Sequence, residues 1–420
     1  MNQPKSKEGK IFSALTIVAA LGYFVDIYDL VLFSVEWRDS LRDLMGHHVA
    51  MDIIEKKGKF LLSTQMAGML IGGIIWGIIG DKKGRLSVLF GSILMYSIAN
   101  ILNGFVTNVE QYTVLRFISG FGLAGELGVG ITLVSETLST KNRGYGATFV
   151  ATIGVFGAVV AGFASEIIET QLKIAESWRY SFFIGGGLGI ILLLMRLGVY
   201  ESGMFEAIKK ERVSRGNFIG LVTNKESGKK FLSIVLATIP VWYVMGILIT
   251  FCSTLLEEMG ATFEAKSSTA IAFAYIGITV GDLASGLLSQ YLKSRKKVMF
   301  IFVALLAIST TVFLTTAHLS ETWFLTITLI MGFFTGYWAV FITTASELFG
   351  TNIRATATTS APNFVRGSVI LLTYLSIVFK NWTGSLVSSA AILGFLVIGA
   401  ALFSIYRLPE TFHKDLNYTE

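Results

Sequence analysis

The chain has 420 residues, of which 53% are hydrophobic and only 15% are charged. Soluble proteins carry about 25% charged residues, so this composition excludes an ordinary soluble domain and indicates an integral membrane protein. The net charge of +6 does not indicate nucleic-acid binding, because the basic residues cluster in short segments between apolar runs. The single cysteine, Cys252, excludes an intramolecular disulfide, and the four scattered histidines argue against a metal site.

Apolar runs long enough to cross a bilayer as helices, about 20 residues each, recur along the chain. They predict an all-α membrane protein whose spans lie near 11–35, 60–80, 86–106, 112–134, 146–168, 180–199, 231–256, 269–292, 298–317, 323–346, 361–380 and 385–406. We divide the chain into an N-terminal six-helix half (1–199), a linker (200–230) and a C-terminal six-helix half (231–420). Two related halves are a common arrangement in transporters.

Basic residues mark alternate connections between the spans. The connections 107–111, 318–322 and 381–384 contain no Lys or Arg, whereas those at the other ends of the spans are basic. The positive-inside rule therefore predicts that both termini are cytoplasmic, in a multi-pass protein of the plasma (bacterial inner) membrane. Residues 36–59 carry balanced charge and are predicted to form the largest external loop.

The segment from Gly77 to Arg85 connects the second and third spans. Gly77 allows close helix approach, and Gly84 supplies a turn without a Cβ. Asp81 follows the second span, where a carboxylate can meet a helix N-terminus or an arginine. We interpret the segment as a structural latch, because an ordinary basic loop needs neither the glycines nor the acid.

Two segments of the first half recur in the second, which indicates duplication. Residues 286–296 repeat 77–85 in degenerate form, and residues 346–355 repeat 135–144, where a glutamate precedes an arginine at the same separation. We predict that these segments form a cytoplasmic charge network that closes the inner side and breaks when that side opens. The predicted gating residues are Gly77, Asp81, Gly84, Arg85, Glu136, Arg143, Glu201, Glu347 and Arg354.

In their order, these segments resemble the major facilitator superfamily. The resemblance rests on residues 77–85, 116–126, 135–144, 178–179, 196–205 and 408–411. The last two resemble the sugar-porter and metabolite/proton symporter branches, and the fifth span lacks the Gly-Pro signature of drug/proton exchangers. The resemblance implies a twelve-helix secondary transporter that works by alternating access and draws on the proton gradient, with no cofactor.

Ionisable side chains at bilayer depth cost at least about 2.5 kcal/mol each, so each one requires a reason. Asp26 and Asp29 lie three residues apart on one helix face, and neighbouring carboxylates raise one another's proton affinity. The pair resembles acidic pairs of aromatic-acid and metabolite symporters, and Tyr28-Asp29 resembles the Tyr-Asp of proton-coupled sugar porters. Arg116 is the predicted partner of Asp29 or Asp26; protonation would free it to bind an anion, or the pair is a static structural one.

Further charges complete the predicted site. Glu126 lies roughly 15 Å deeper than Arg116 at 1.5 Å per residue and is either a second protonation site or a structural hydrogen-bond acceptor. Asp282 and Arg366 are predicted to form the other side of a substrate site. Arg366 is either a carboxylate anchor or part of the inner gate.

Aromatic residues with polar tips are candidates for the walls of the substrate cavity; the alternative is packing against lipid or helices. The predicted substrate-binding residues are Tyr28, Arg116, Trp242, Tyr243, Asp282, Tyr337, Trp338 and Arg366.

The sequence therefore predicts proton-coupled uptake of a small polar, anionic metabolite by a monomer, whose partners are the substrate, protons and the bilayer. Asp26, Asp29, Arg116 and Glu126 are the predicted proton-coupling residues. The alternatives are a uniporter or exporter, for example of a metal chelate or siderophore, and a membrane sensor that does not transport. No nucleotide-binding loop or nucleophile–base constellation is present, so an enzyme is not expected.

Overall fold

The computed structural model describes residues 14–46, 48–138, 142–168, 176–198, 216–263, 265, 267–414, 416 and 418. Twelve helices within these ranges are long and apolar enough to cross a membrane. The predicted all-α fold is confirmed. Residues 200–215 of the predicted linker lie outside the described ranges.

The helices follow one another through short connections, and three of them are interrupted. Their bounds are α1 Ala14–Met45, α2 Met51–Lys83, α3 Arg85–Asn103, α4 Val109–Leu123 and Glu126–Thr137, α5 Arg143–Glu166, α6 Ser177–Met195, α7 Lys225–Leu236, Ile239–Tyr243, Val244–Ile249 and Cys252–Glu258, α8 Ser267–Tyr291, α9 Arg295–Thr316, α10 Glu321–Thr335 and Trp338–Leu348, α11 Arg354–Thr383, and α12 Leu386–Arg407. We call α1–α6 the N-terminal half and α7–α12 the C-terminal half.

The predicted external loop at 36–59 is wrong. The helix α1 continues to Met45 and α2 begins at Met51, so only five residues separate the two helices. Apolar residues within the charged stretch are buried, as Leu41 and Ile54 show. An apolar run ends at the first charges, but helical hydrogen bonding continues past them.

The predicted start of α11 is also too late. The helix begins at Arg354, ahead of the predicted 361, with Pro362 inside it. Its first turns are rich in Thr and Ser, so they fail an apolar criterion. They are nevertheless buried, because they pack against the N-terminal half rather than lipid.

Glycines hold α2 against α4 and α8 against α10 at backbone distance. A Cβ on Gly68, Gly72 or Gly120 would collide with a backbone carbonyl of the facing helix, and so would one on Gly277, Gly281 or Gly332. The three contacts between α8 and α10 involve the same relative positions along the two helices as the three contacts between α2 and α4. Small residues allow such close approach between membrane helices.

The halves meet along α2 with α11 and along α5 with α8. Many of the hydrogen bonds and ion pairs between the two halves lie near one end of the bundle. At this end, residues 81–85, 292–295 and 349–354 connect consecutive helices. We call it the basic end. There, a Cβ on Gly77 would lie 2.8 Å from Thr356 Cα, and the Thr132 and Thr358 hydroxyls are 2.7 Å apart.

Candidate functional site

A small cavity lies between the halves, about midway along the helices. Its volume is about 40 Å³, which is room for a few water molecules at about 10–15 Å³ each. Its walls come from α1, α5, α7, α8, α10 and α11. The lining residues are Tyr23, Ile27, Leu30, Val155, Val241, Trp242, Met245, Tyr275, Ile278, Thr335, Trp338 and Arg366.

An ion pair joins the two halves at this cavity. Arg366 Nη2 of α11 lies 4.0 Å from Asp26 Oδ2 of α1, and both side chains are buried. The guanidinium also lies over the Trp338 ring, 5.7 Å from its centroid. Neither Asp26 oxygen accepts a hydrogen bond from a described residue. Asp26 thus faces Arg366, not the Arg116 expected from the sequence.

Arg116 and Asp29 occupy a separate buried region of the N-terminal half. Arg116 Nη2 donates to Asn100 Oδ1 at 2.9 Å, and its guanidinium lies 4.6 Å from the Phe182 ring centroid. Asp29 makes no hydrogen bond among the described residues and no ion pair within 4.0 Å. Its Oδ1 would meet a Cβ at Gly185 of α6. Among the described residues, Arg116 therefore forms no ion pair within 4.0 Å with Asp29 or Asp26, the two partners that the sequence predicted.

Glu126 forms a buried ion pair that the sequence did not predict. Its Oε2 accepts from Arg196 Nη1 at 3.0 Å, and Arg196 Nη2 also donates to Glu126 Oε1. The pair lies against Gly22 of α1, where a Cβ would meet both side chains. Arg196 follows the end of α6 directly, so the pair ties α4 to α6 on the basic-end side of Asp26.

Asp282 supports the interruption of α10. Its Oδ1 accepts from the Ala339 N–H at 2.9 Å, at the start of the segment that begins at Trp338. A carboxylate at a helix N-terminus satisfies amides that have no partner within the helix. Asp282 does not line the cavity, so its geometry is that of a helix cap.

The predicted aromatic residues divide into two groups. Trp242 and Trp338 line the cavity. Tyr243 donates to the Ala390 carbonyl at 2.7 Å and Tyr337 to the Ala237 carbonyl at 2.9 Å, which turns both away from it. Tyr28 is buried with the cluster around Phe33 and Trp178, outside the cavity.

A buried network that we call the basic-end cluster comprises Asp81, Arg85, Glu136 and Arg354. Arg85 Nη2 and Arg354 Nη1 both donate to Glu136 Oε1, at 2.9 and 3.0 Å. Arg85 also donates to the Thr351 carbonyl at 3.2 Å. Glu136 thus binds arginines from both halves.

Asp81 adds a second tie between the halves. Its oxygens accept from the Ala355 and Thr356 N–H groups at 3.1 and 2.8 Å, at the first turn of α11. The carboxylate meets the positive end of a helix from the other half. Gly84 has φ 108°, a conformation that favours glycine.

Three predicted gating residues remain, and only Glu347 among them has a described side chain. Glu347 lies within the C-terminal half, 3.4 Å from Arg295 Nη2, and accepts from Thr411 Oγ1 at 2.8 Å. Arg143 begins α5, but its side chain lies outside the described part of the chain, and so does Glu201.

Several site residues escaped sequence reasoning. Tyr23 lies three residues before Asp26, so helical spacing could have placed it on the same face. Tyr275 and Asn363 carry no charge and match no motif. Arg196 was part of a family segment but had no assigned partner, because nothing in the sequence brings it to Glu126.

Comparison with known proteins places this geometry in a family. The family model of the Major Facilitator Superfamily matches residues 55–372. A probable 4-methylmuconolactone transporter of Cupriavidus pinatubonensis is 26% identical over 409 residues, 93% of this chain and 89% of that protein. A cis,cis-muconate transport protein of Acinetobacter baylyi is 28% identical over 414 residues, 96% and 94% of the two chains.

A solved structure agrees in fold. The proton:xylose symporter bound to 6-bromo-6-deoxy-D-glucose matches with a TM-score of 0.75, over 97% of this chain and 98% of that chain, at 18% identity. The predicted family resemblance is confirmed. The chain belongs to the Major Facilitator Superfamily and is a multi-pass membrane transport protein, not an enzyme.

Proposed function

We propose that the protein takes up a small organic carboxylate together with a proton, by alternating access of the cavity between its halves. The observation that carries the proposal is the buried pair of Arg366, which lines the cavity, and Asp26 of the other half. A buried arginine whose carboxylate partner stands 4.0 Å away retains donors for a second carboxylate, and Arg binds carboxylates in bidentate geometry.

The chemistry of the cavity supports a carboxylate substrate with an apolar, unsaturated body. Among the described residues that line it, Arg366 is the only charged one, and Trp242, Tyr275 and Trp338 provide flat walls. The two relatives are named for the transport of organic acids with unsaturated carbon frames. We extend that substrate class to this chain.

Competition for Arg366 supplies the coupling. An ionised Asp26 neutralises Arg366 and opposes binding of an anion, whereas a protonated Asp26 leaves the guanidinium its full charge. A proton and a carboxylate therefore enter together. In this scheme Asp29 with Arg116, and Glu126 with Arg196, are further proton sites of the N-terminal half.

The closed basic end supports a carrier that exposes the cavity to one side at a time. The basic-end cluster and the bonds of Asp81 to α11 must break before the cavity opens there. By the positive-inside rule we assign the basic end to the cytoplasm.

Transport by reconstituted protein tests the proposal. In liposomes with an acid exterior, we expect wild type to take up labelled benzoate faster and further than protein-free liposomes do, and to add less to the uptake of benzamide, which has the same ring without the charge. Asp26→Asn and Asp29→Asn should each abolish proton-driven accumulation while leaving part of the counterflow, because an amide cannot give up a proton.

The outcomes separate the alternatives. Equal accumulation by wild type and both variants would refute the coupling role. Flux that ignores the pH gradient would indicate a uniporter. Saturable binding without flux would indicate a sensor.

A further inference from the structure

Asn363 of α11 lies one helical turn from Arg366, on the side of the basic end. It is buried, and three polar groups surround its side-chain amide. Its Oδ1 accepts from Arg366 Nη1 at 3.4 Å. Its Nδ2 donates to the Ala124 carbonyl of the other half at 3.0 Å and to the Thr359 carbonyl of its own helix at 2.7 Å.

The carbonyl group of the N-terminal half that accepts from Asn363 lies at the end of a helix segment. Ala124 falls in the interruption of α4, between Leu123 and Glu126. Carbonyl groups at helix ends lack a regular intrahelical donor, and Asn363 supplies one from outside. A Cβ on Gly73 of α2 would lie 2.7 Å from Asn363 Nδ2, so α2 leaves just enough room for the amide.

Apart from the ion pair of Arg366 with Asp26, the other bonds that the described residues form between α11 and the N-terminal half do not involve Arg366. Thr358 meets Thr132, and the Ser360 hydroxyl donates to the Gly73 carbonyl at 3.3 Å. These bonds hold the halves together. Of the described residues that form these hydrogen bonds, only Asn363 also bonds to Arg366, through its Oδ1.

We infer that Asn363 is a positioning residue that couples occupancy of Arg366 to opening of the basic end; the inference rests on the proposed function. Arg366 lies 3.4 Å from the amide and 4.0 Å from Asp26, whereas a charge-assisted bond to a carboxylate is about 2.7–2.9 Å long. A bound carboxylate therefore draws the guanidinium away from Asn363 Oδ1. The amide loses one of the bonds that orient it, its bond to Ala124 weakens, and the loaded carrier opens at the basic end.

Cysteine accessibility tests the coupling. The reporter is Thr356→Cys at the first turn of α11, in full-length protein whose buried Cys252 is replaced by alanine. The quantity is the ratio of maleimide labelling rates with and without benzoate, at acid pH. Wild type should show a ratio of about 5 or more, the low end of typical coupling between sites.

Substitutions at position 363 then test the contribution of the Asn363 amide separately from the other bonds between the halves. Asn363→Ala should label fast without benzoate and give a ratio near 1. The matched control Thr358→Val loses a bond between the halves without touching Arg366, so basal labelling should rise while the benzoate ratio stays as in wild type. Asn363→Asp keeps the acceptor for Arg366 but loses the donor to Ala124; it should also give a ratio near 1 and bind benzoate more weakly.

The outcomes distinguish this inference from the proposed function. A wild-type protein that does not respond to benzoate or to cis,cis-muconate overturns both. A responsive wild type, with Asn363→Ala giving the same ratio, overturns the coupling role alone. If Asn363→Ala does not fold, the Asn363→Asp ratio decides, and a wild-type ratio there rejects the inference.

Discussion

The two halves of the molecule share a packing framework but differ in what they bury. Glycines hold α2 to α4 and α8 to α10 through equivalent backbone contacts. At matching places relative to these contacts, Arg116 of α4 corresponds to Thr328 of α10, and Glu126 corresponds to Trp338. The N-terminal half thus buries ionisable groups where the C-terminal half buries a hydroxyl and an aromatic ring.

This difference shows which features duplication can vary. A glycine that faces a backbone carbonyl has no substitute, because any Cβ collides with it. Side chains that point between helices do not have this steric limit. A charged residue in one half can therefore correspond to an uncharged residue of different size in the other. Under the proposed function, the N-terminal half therefore carries protons while the C-terminal half supplies walls of the cavity.

The largest expected difference between the halves lies at the basic end. Asp81 accepts two N–H bonds from α11, whereas Gln290, at the equivalent place, has no hydrogen-bond partner for its amide nitrogen among the described residues. Hydrogen bonds to charged groups contribute about 1.5–3 kcal/mol each, so Asp81→Ala should shift the closed-to-open balance by about 3 kcal/mol or more. Labelling of the Thr356→Cys reporter should rise accordingly.

Gln290→Ala is the matched variant, and we expect its labelling to stay within about twofold of wild type. Equal acceleration by the two variants would mean that Asp81 and Gln290 contribute equally to closing the basic end, so the two halves would not differ there. Thermal unfolding of each variant in detergent shows whether a rise in labelling reflects opening or loss of fold.

The glycine framework predicts equal effects in the two halves. Gly72→Ala and Gly281→Ala each place a methyl group against a phenylalanine carbonyl, and overpacking of this kind costs about 1–3 kcal/mol. Both should lower the thermal midpoint in detergent to a similar degree.

Gly162 and Gly399 provide one control in each half, because a Cβ at either meets no described atom within 4 Å. Their alanine variants should unfold at or above the wild-type temperature, since alanine favours helix over glycine. A large effect of Gly72→Ala with none of Gly281→Ala would disprove the shared framework.

Sequence patterns predicted much of the fold for a physical reason. Lipid requires long apolar helices, and charge bias orients them, so the twelve spans followed from hydropathy. Polar helix that is buried in protein escapes that criterion, as in the first turns of α11. Helix ends that pass beyond the apolar run escape it as well, as at residues 36–59.

Prediction of the site was less complete, because pairing depends on helix rotation and on contacts between distant segments. The burial of Asp26, Asp29, Arg116 and Arg366 followed from their cost in lipid. Their partners did not: Asp26 faces Arg366 of the other half, and Glu126 faces Arg196. Helical spacing fixes which side chains share a face but not which helix meets that face.

The smallest expected effect concerns the start of the third helix in each half. Described side chains cap α9 of the C-terminal half but not α3 of the N-terminal half. The helix α3 begins after Gly84 without a side-chain cap, whereas at the start of α9 Ser294 accepts from the Lys297 N–H at 3.1 Å and Glu410 from the Arg295 N–H at 2.9 Å. Burial tends to raise the pKa of Glu410, but hydrogen bonds from the Ser294 hydroxyl and from the N–H groups of Arg295, Thr411 and Phe412 outweigh it and hold the pKa below its usual range.

A carboxyl group whose pKa is lower in the folded state stabilises the fold above its unfolded pKa, about 4.3 for Glu, and loses that contribution as the pH falls towards the folded value. Glu410 is exposed to solvent, so we expect less than about 1 kcal/mol. Thermal midpoints measured from pH 7 to pH 3 should fall slightly more for wild type than for Glu410→Gln, which carries no titratable group there. Parallel curves would show that Glu410 does not stabilise α9 by its charge, and the two helix starts would then differ only in Ser294.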